Sequence, residues 1–182
     1  MTGSGAHGSP ADPWMPRVLH VGGVCAVGFS EDGRWLLVVT HSGRGVFDCR
    51  TLDRVARDET EDYGSFDAAT ETVAGLGPLD GRRVRVAGLQ GAIRTRRQLP
   101  VTTGDGWAVR WIDAEKRVGG ADASVFLRKP GPGPADERRL GTFEPLYAVG
   151  FSPDGGTLVV AESHTILVLT RERASGSRGP SE

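Results

Sequence analysis

The sequence predicts an all-β domain assembled from repeated units, and three observations carry that prediction. One peptide is written twice, as VCAVGFSEDGRWLLVV from Val24 to Val39 and as LYAVGFSPDGGTLVVA from Leu146 to Ala161. Phe29 and Phe151, Asp32 and Asp154, Gly33 and Gly155, and Leu36 and Leu158 share one offset, so the match needs no gap. Apolar runs of strand length alternate with turns rich in Gly, Asp and Pro. No segment sustains a 3.6-residue period over three turns. A repeat of this kind marks a supersecondary unit that cannot bury its apolar face alone and stacks beside copies of itself.

Each copy reads as strands around tight turns. From Cys25 to Ser30 apolar and small residues alternate, as in a strand whose two faces differ, and Glu31-Asp32-Gly33 supplies the turn. Trp35 to Thr40 is a nearly continuous apolar run, the pattern of a strand buried on both faces. His41-Ser42-Gly43 makes a second turn, Arg44 to Asp48 a third strand and Asp53 to Arg57 a fourth. Four strands in roughly 40 residues form one repeat unit.

The unit resembles a blade of the WD-repeat β-propeller family. His20 stands where that family places its Gly-His histidine, FSEDG and FSPDG match its first turn, and Phe47-Asp48 fills its Trp-Asp position. A diverged middle repeat runs from Val73-Ala74-Gly75-Leu76 through Asp80-Gly81 to Leu89 and resumes, after an insertion, at Asp105-Gly106-Trp107 through Asp113. The resemblance implies a small propeller, or a partly open propeller-like assembly, of three recognisable blades plus extra strands near Ser124 to Arg128 and Arg138 to Thr142. The strand Ile166 to Thr170 lacks a fourth strand of its own, and Arg17 to Val21 is expected to lie antiparallel beside it and close that edge.

Composition places this fold in one domain, expected over residues 16–172. Residues 1–15 and 173–182, rich in Gly, Ser and Pro, read as disordered arms. No apolar run approaches the roughly 18 residues of a membrane span and no signal-peptide pattern occurs, so a cytoplasmic location without a membrane partner is expected. Cys25 and Cys49 fall on strands separated by another, which disfavours a disulfide and reads as reduced packing residues. The net charge of −1 supplies no global field for nucleic acid, which is disfavoured as a partner.

Chemistry-bearing motifs are sparse. His20, His41, His164 and Asp105 all read as turn residues of one face, where a metal or acid–base site can be drawn. No nucleophile elbow accompanies them, and neither a metal nor an organic cofactor is implied. Two loops exceed the needs of a connection: the acidic-aromatic stretch Asp58 to Asp67, with Tyr63 and Phe66, and an arginine loop with Arg94, Arg96 and Arg97. A further basic block lies at Arg82, Arg83 and Arg85. Interface energy concentrates in aromatics and arginines, so the sequence points to a non-enzymatic protein-interaction module acting through surface loops. Its alternatives are an immunity or inhibitor protein that neutralises a partner toxin, and a hydrolase or metal-dependent enzyme on the histidine face.

Overall fold

The computed structural model describes residues 12–60, 66–88, 93, 95, 96, 98–113, 122–131 and 137–171. Strands β1 (Met15–His20), β2 (Val24–Phe29), β3 (Trp35–Thr40), β4 (Gly43–Asp48) and β5 (Arg54–Asp58) come first. They lead into β6 (Thr72–Ala74), a short 3-10 helix at Gly77–Leu79, and β7 (Arg83–Arg85). β8 (Ala108–Asp113), β9 (Ala123–Arg128), β10 (Glu137–Phe143), β11 (Ala148–Phe151), β12 (Thr157–Ala161) and β13 (Thr165–Thr170) follow. The protein is all-β, and these strands form four antiparallel sheets, none closed on itself: β2-β3-β4-β5, β6-β7, β10-β9-β8 and β1-β13-β12-β11. No helix among the described residues is long and apolar enough to cross a membrane.

The strand runs bury both faces, as continuous apolar stretches require. In the last repeat, Val159, Ala161, Ile166 and Val168 pack against Phe29, Leu36, Val38 and Phe47 of the first. The alternate residues Phe151, Leu158, Val160 and Leu169 pack against Trp107, Val109, Val125 and Leu127 of the β8–β10 sheet. The opposite face of the first repeat, with Cys25, Leu37, Val39 and Val46, covers Val73, Leu79, Val84 and Val86 beside β6 and β7. Three apolar interfaces thus join the four sheets in series. Equivalent repeat residues point the same way along the stack, Phe29 and Leu36 toward the last repeat, Phe151 and Leu158 toward the β8–β10 sheet.

The N-terminal strand closes the last repeat as its sequence predicts. β1 pairs antiparallel along all of β13, with Arg17 opposite Val168 and Leu19 opposite Ile166. An edge that would otherwise template foreign strands is covered. Residues 12–15, assigned to a disordered arm, belong to the fold. Trp14 is 2% exposed and meets Trp107 edge-on at 5.6 Å, and Asp12 pairs with Arg138 at 2.5 Å. Gly, Ser and Pro around it hide one large indole whose burial outweighs the polar composition. The rest of both arms, residues 1–11 and 173–182, lies outside the described residues.

The middle of the chain departs from its reading as one diverged repeat. Val73 to Arg85 forms the two-stranded β6-β7 sheet, whereas Asp105 to Asp113 belongs with β9 and β10 in a separate sheet. The strands read as extra therefore complete a sheet of their own. Between these sheets the chain crosses the inner edges of both clear repeats. Val27 and Ala87 exchange backbone hydrogen bonds at 2.9 and 2.8 Å, and the Phe151 N–H donates to the Pro100 carbonyl at 2.7 Å.

That crossing needs glycine at one repeated position. A Cβ on Gly28 would lie 2.2 Å from the Arg85 carbonyl oxygen, and one on Gly150, its counterpart, 2.4 Å from Leu99 Cβ. Both AVGF motifs keep this residue because backbone passes where a side chain would stand. Gly28→Ala and Gly150→Ala are each expected to cost about 1–3 kcal/mol through overpacking. Urea unfolding measures this, and unchanged midpoints would contradict the close approach. Truncation through Gly22 exposes β13 and is expected to give dimers or aggregates on size-exclusion chromatography, where a monomer of unchanged stability would refute the role of β1.

Candidate functional site

Three of the four residues assigned to one face meet there through their backbones. His20 is paired with Thr165, the Val21 N–H donates to the His164 carbonyl at 3.1 Å, and the His41 N–H donates to the Gly23 carbonyl at 3.0 Å. All three histidines are exposed, and His164 Nδ1 is hydrogen-bonded to the Ser163 hydroxyl. Asp105 is not among them. Its turn precedes β8 as the Ser30–Trp35 turn precedes β3, so it is a first-to-second-strand turn and lies at the other end of the sheets. Its carboxylate meets Arg171, just past the end of the six-residue β13 remote from His164, roughly 23 Å away at strand rise. Among the described residues, no three His, Cys, Asp or Glu side chains are arranged to hold a metal ion.

The loop residues fare differently from one another. Tyr63, Arg94 and Arg97 lie outside the described residues. Phe66 is half-buried against the cluster of Val73, Leu79 and Val84, so it serves the core rather than standing free as an anchor. Arg96 is exposed, and its backbone N–H donates to Glu71 Oε1 at 2.6 Å.

The end opposite the histidines is held by one device used three times. Ser30, Ser152 and Thr103 each donate a hydroxyl to an aspartate two residues on, at 2.6, 2.5 and 2.6 Å respectively. Each hydroxyl also accepts the N–H of the residue that follows the turn, Trp35, Thr157 or Trp107. The third copy adds an ion pair. Arg171 meets Asp105 through two hydrogen bonds at 2.5 and 2.7 Å, donates to the Gly155 carbonyl at 3.1 Å and lies 4.8 Å over the Trp14 ring. The guanidinium and then the Thr103 hydroxyl hold the Asp105 carboxyl well below the usual carboxylate range. This end is structural. Burial likewise pushes the Cys25 thiol up to about 11 and the Cys49 thiol up to about 12, so both stay protonated packing groups, and neither is bridged.

The open concavity lies on the inner side of the repeats. β2 and the chain around the end of β7 pair at Val27–Ala87, stay in contact where the Arg85 carbonyl meets Gly28, and diverge beyond it. A groove of about 920 Å³ opens where they part. Its floor is sealed by Phe29, Val84 and Val86, all nearly buried. One wall is β7, whose alternation sends Val84 inward and leaves Arg83 and Arg85 exposed, with exposed Arg82 beside them. The other wall presents Leu99, Pro100 and Pro153, with exposed Glu31 and Gln98 at its ends. The Arg83 guanidinium is held by the Thr72 hydroxyl and carbonyl, at 2.8 and 3.0 Å. Arg82 and Arg85 make no ion pair among the described residues. Three arginines against one glutamate give the groove a positive wall.

The sequence signal for this wall was present in Arg83-Val84-Arg85, whose two-residue period aims both arginines out of one strand. Arg171 carried no such signal, because nothing local tells a capping arginine from a tail residue. No protein-family model matches the chain, and no curated protein matches it.

The ion pair at the structural end has a pH signature. Because pairing lowers the folded-state pKa of Asp105 below its unfolded value near 4, the stability it confers is complete above that value and is lost as pH falls through the folded pKa. The carboxylate is half-exposed, so screening limits the effect of Asp105→Asn to about 1 kcal/mol at neutral pH. Denaturant unfolding is expected to show that difference at pH 7 and a shrinking one as pH drops below about 4. A difference independent of pH would show that the charge is not responsible.

Proposed function

We propose that this chain is a non-enzymatic protein-interaction module, built on a repeat unit of the WD-repeat β-propeller kind, that receives its partner in the arginine-walled groove. The observation that carries the reading is the groove itself: a concavity on rigid strands, with a sealed apolar floor and two arginines that lack an ion-pair partner among the described residues. Binding sites favour such places, since a preformed surface loses little freedom on binding. The loops over Asp58 to Asp67 and Arg94 to Arg97 give way to it, because Phe66 is committed to the core. The four sheets then correspond to blades of a ring left open between β7 and the β8–β10 sheet. Support for that correspondence comes from the head-to-tail stacking of equivalent residues and from the threefold use of the hydroxyl–aspartate turn. Ala87 and Pro100, bonded to the inner edges of the two clear repeats, stand where an axial channel would open, which turns recognition toward the groove beside them.

The photo-cross-linking residue p-benzoylphenylalanine, placed at Gln98 or Glu31 in cells of the native host, tests the reading. Both groove positions are expected to capture the same protein, and the exposed position Ile112, outside the groove, is expected not to. Absence of a product from both groove positions, or the same product from Ile112, would overturn it.

A further inference from the structure

We infer that the groove receives a loop of a partner protein in which one apolar side chain is flanked by carboxylates, the apolar group seated on the groove floor and the carboxylates against Arg82 and Arg85. The inference rests on the interaction reading and names the chemistry of the partner. The backbone, shape and charge of the groove converge on it.

The backbone around the groove leaves no track for an added strand. β2 covers β7 at Arg85 and Ala87, so only Arg83 keeps an open strand edge. The Phe151 N–H is given to the Pro100 carbonyl, the Ser30 N–H to the Trp35 carbonyl and the Val86 N–H to the Glu71 carbonyl. Pro100 and Pro153 have no N–H to give. The walls therefore offer a partner chiefly side chains, and side chains must answer them.

Those side chains make a small basin with an aliphatic lip. Around the sealed floor of Phe29, Val84 and Val86 stand half-buried Leu99 and exposed Pro100 and Pro153. At about 920 Å³ the basin lies within the roughly 300–1,000 Å³ that small ligands occupy. The tip of a loop fits such a volume, with one apolar side chain turned inward. Prolines fix the lip before the partner arrives, so little freedom is lost when it docks.

Charge selects the residues beside that apolar group. Arg82 and Arg85 are exposed and make no ion pair among the described residues, Arg83 is held by Thr72, and Glu31 is the one carboxylate that lines the groove. Carboxylates at the entrance satisfy these two guanidiniums, whose planar forks meet such groups with paired hydrogen bonds. A nucleic acid would also answer a positive wall, but single strands are held by exposed aromatic faces on which bases stack. The aromatics of this groove, Phe29 and Phe151, are 8% and 0% exposed, which leaves no stacking platform.

Selection of phage-displayed, disulfide-looped random peptides on the purified full chain tests the inference. The enriched pool is expected to carry an apolar residue with Asp or Glu beside it. A synthetic peptide of the enriched sequence, followed by fluorescence anisotropy, is expected to bind the Arg82→Glu, Arg85→Glu variant at least about tenfold more weakly than wild type. A copy with lysine in place of its acidic residues is expected to prefer that variant to the wild type. Both positions are exposed, so the variant is expected to melt with the wild type, and the milder Arg82→Gln, Arg85→Gln pair to bind with intermediate affinity. Arg128→Glu, exposed and outside the groove, is expected to leave affinity within about twofold of wild type, since a distant surface charge is screened. A pool without acidic enrichment, equal binding of the enriched peptide to wild type and both groove variants, a loss at Arg128→Glu as large as that at the groove, or displacement of the peptide by an oligothymidylate strand would each overturn the inference. If one of these occurs while cross-links from Gln98 and Glu31 persist, the occupant is of another kind and the interaction reading stands. If the cross-links fail too, both fall.

Discussion

The structure depends on the absence of a side chain at one place in each repeat. Gly28 and Gly150 stand at the same position of the AVGF strand, and at both the backbone of the middle segment runs where a Cβ would be. Around these two points the chain exchanges hydrogen bonds with Val27 on one side and accepts the Phe151 N–H on the other. The middle segment contributes little regular structure of its own, with β6 and β7 only three residues each. Isolated hairpins of that size are marginal in water, so this one owes its place to the two repeats that grip it. Everything on the inner side follows from that grip, including the position of Arg85, whose carbonyl is the atom nearest the missing Cβ of Gly28.

The two ends of the sheets are built on different principles. At one end, short turns bring His20, His41 and His164 near each other through backbone pairing, leaving the histidines exposed to solvent. At the other, hydroxyl–aspartate turns satisfy the backbone locally, and Arg171 ties the turn of the β8–β10 sheet to that of the last repeat. A guanidinium suits this place because its planar fork meets a carboxylate with two bonds while its face lies against Trp14. A lysine would make one of those contacts at a time.

What the sequence disclosed follows the strength of its repeats. The two clear copies specified their strands, turns and core, since apolar runs of fixed period leave one way to bury Phe29, Leu36, Phe151, Leu158 and Val160. Even the pairing of β1 with β13 was legible, because the last repeat visibly ends one strand short. The middle was harder for a physical reason. Thr103-Gly104-Asp105-Gly106 makes the same turn as Ser152-Pro153-Asp154-Gly155, but replaces two of its four residues, and the hydroxyl that defines it is shared by Ser and Thr. Reading Asp105 at the wrong turn moved it to the wrong end of the sheets. Trp14 was hidden by the composition around it, and the groove was invisible because it lies between segments far apart in sequence, Phe29 to Glu31, β7 and Gln98 to Pro100. No local pattern reveals where two strands diverge.

The placement of the groove is tied to the way the sheets are joined. Three apolar interfaces link four sheets in series, and the two terminal members of that series are the β6-β7 sheet and the β8–β10 sheet. In a ring these two would meet, and the strand edge of β7 would be enclosed. Here the segment that links them, carrying Leu99 and Pro100, turns instead across the inner edge of β11, and the outer edge of β7 is covered by β2 at Arg85 and Ala87 and left open at Arg83. An open edge is a liability unless charge protects it, and the arginines on β7 provide that protection against indiscriminate pairing. A short, basic strand is thus left at the place where the stack does not close, held on one side by β6 and gripped on the other by β2.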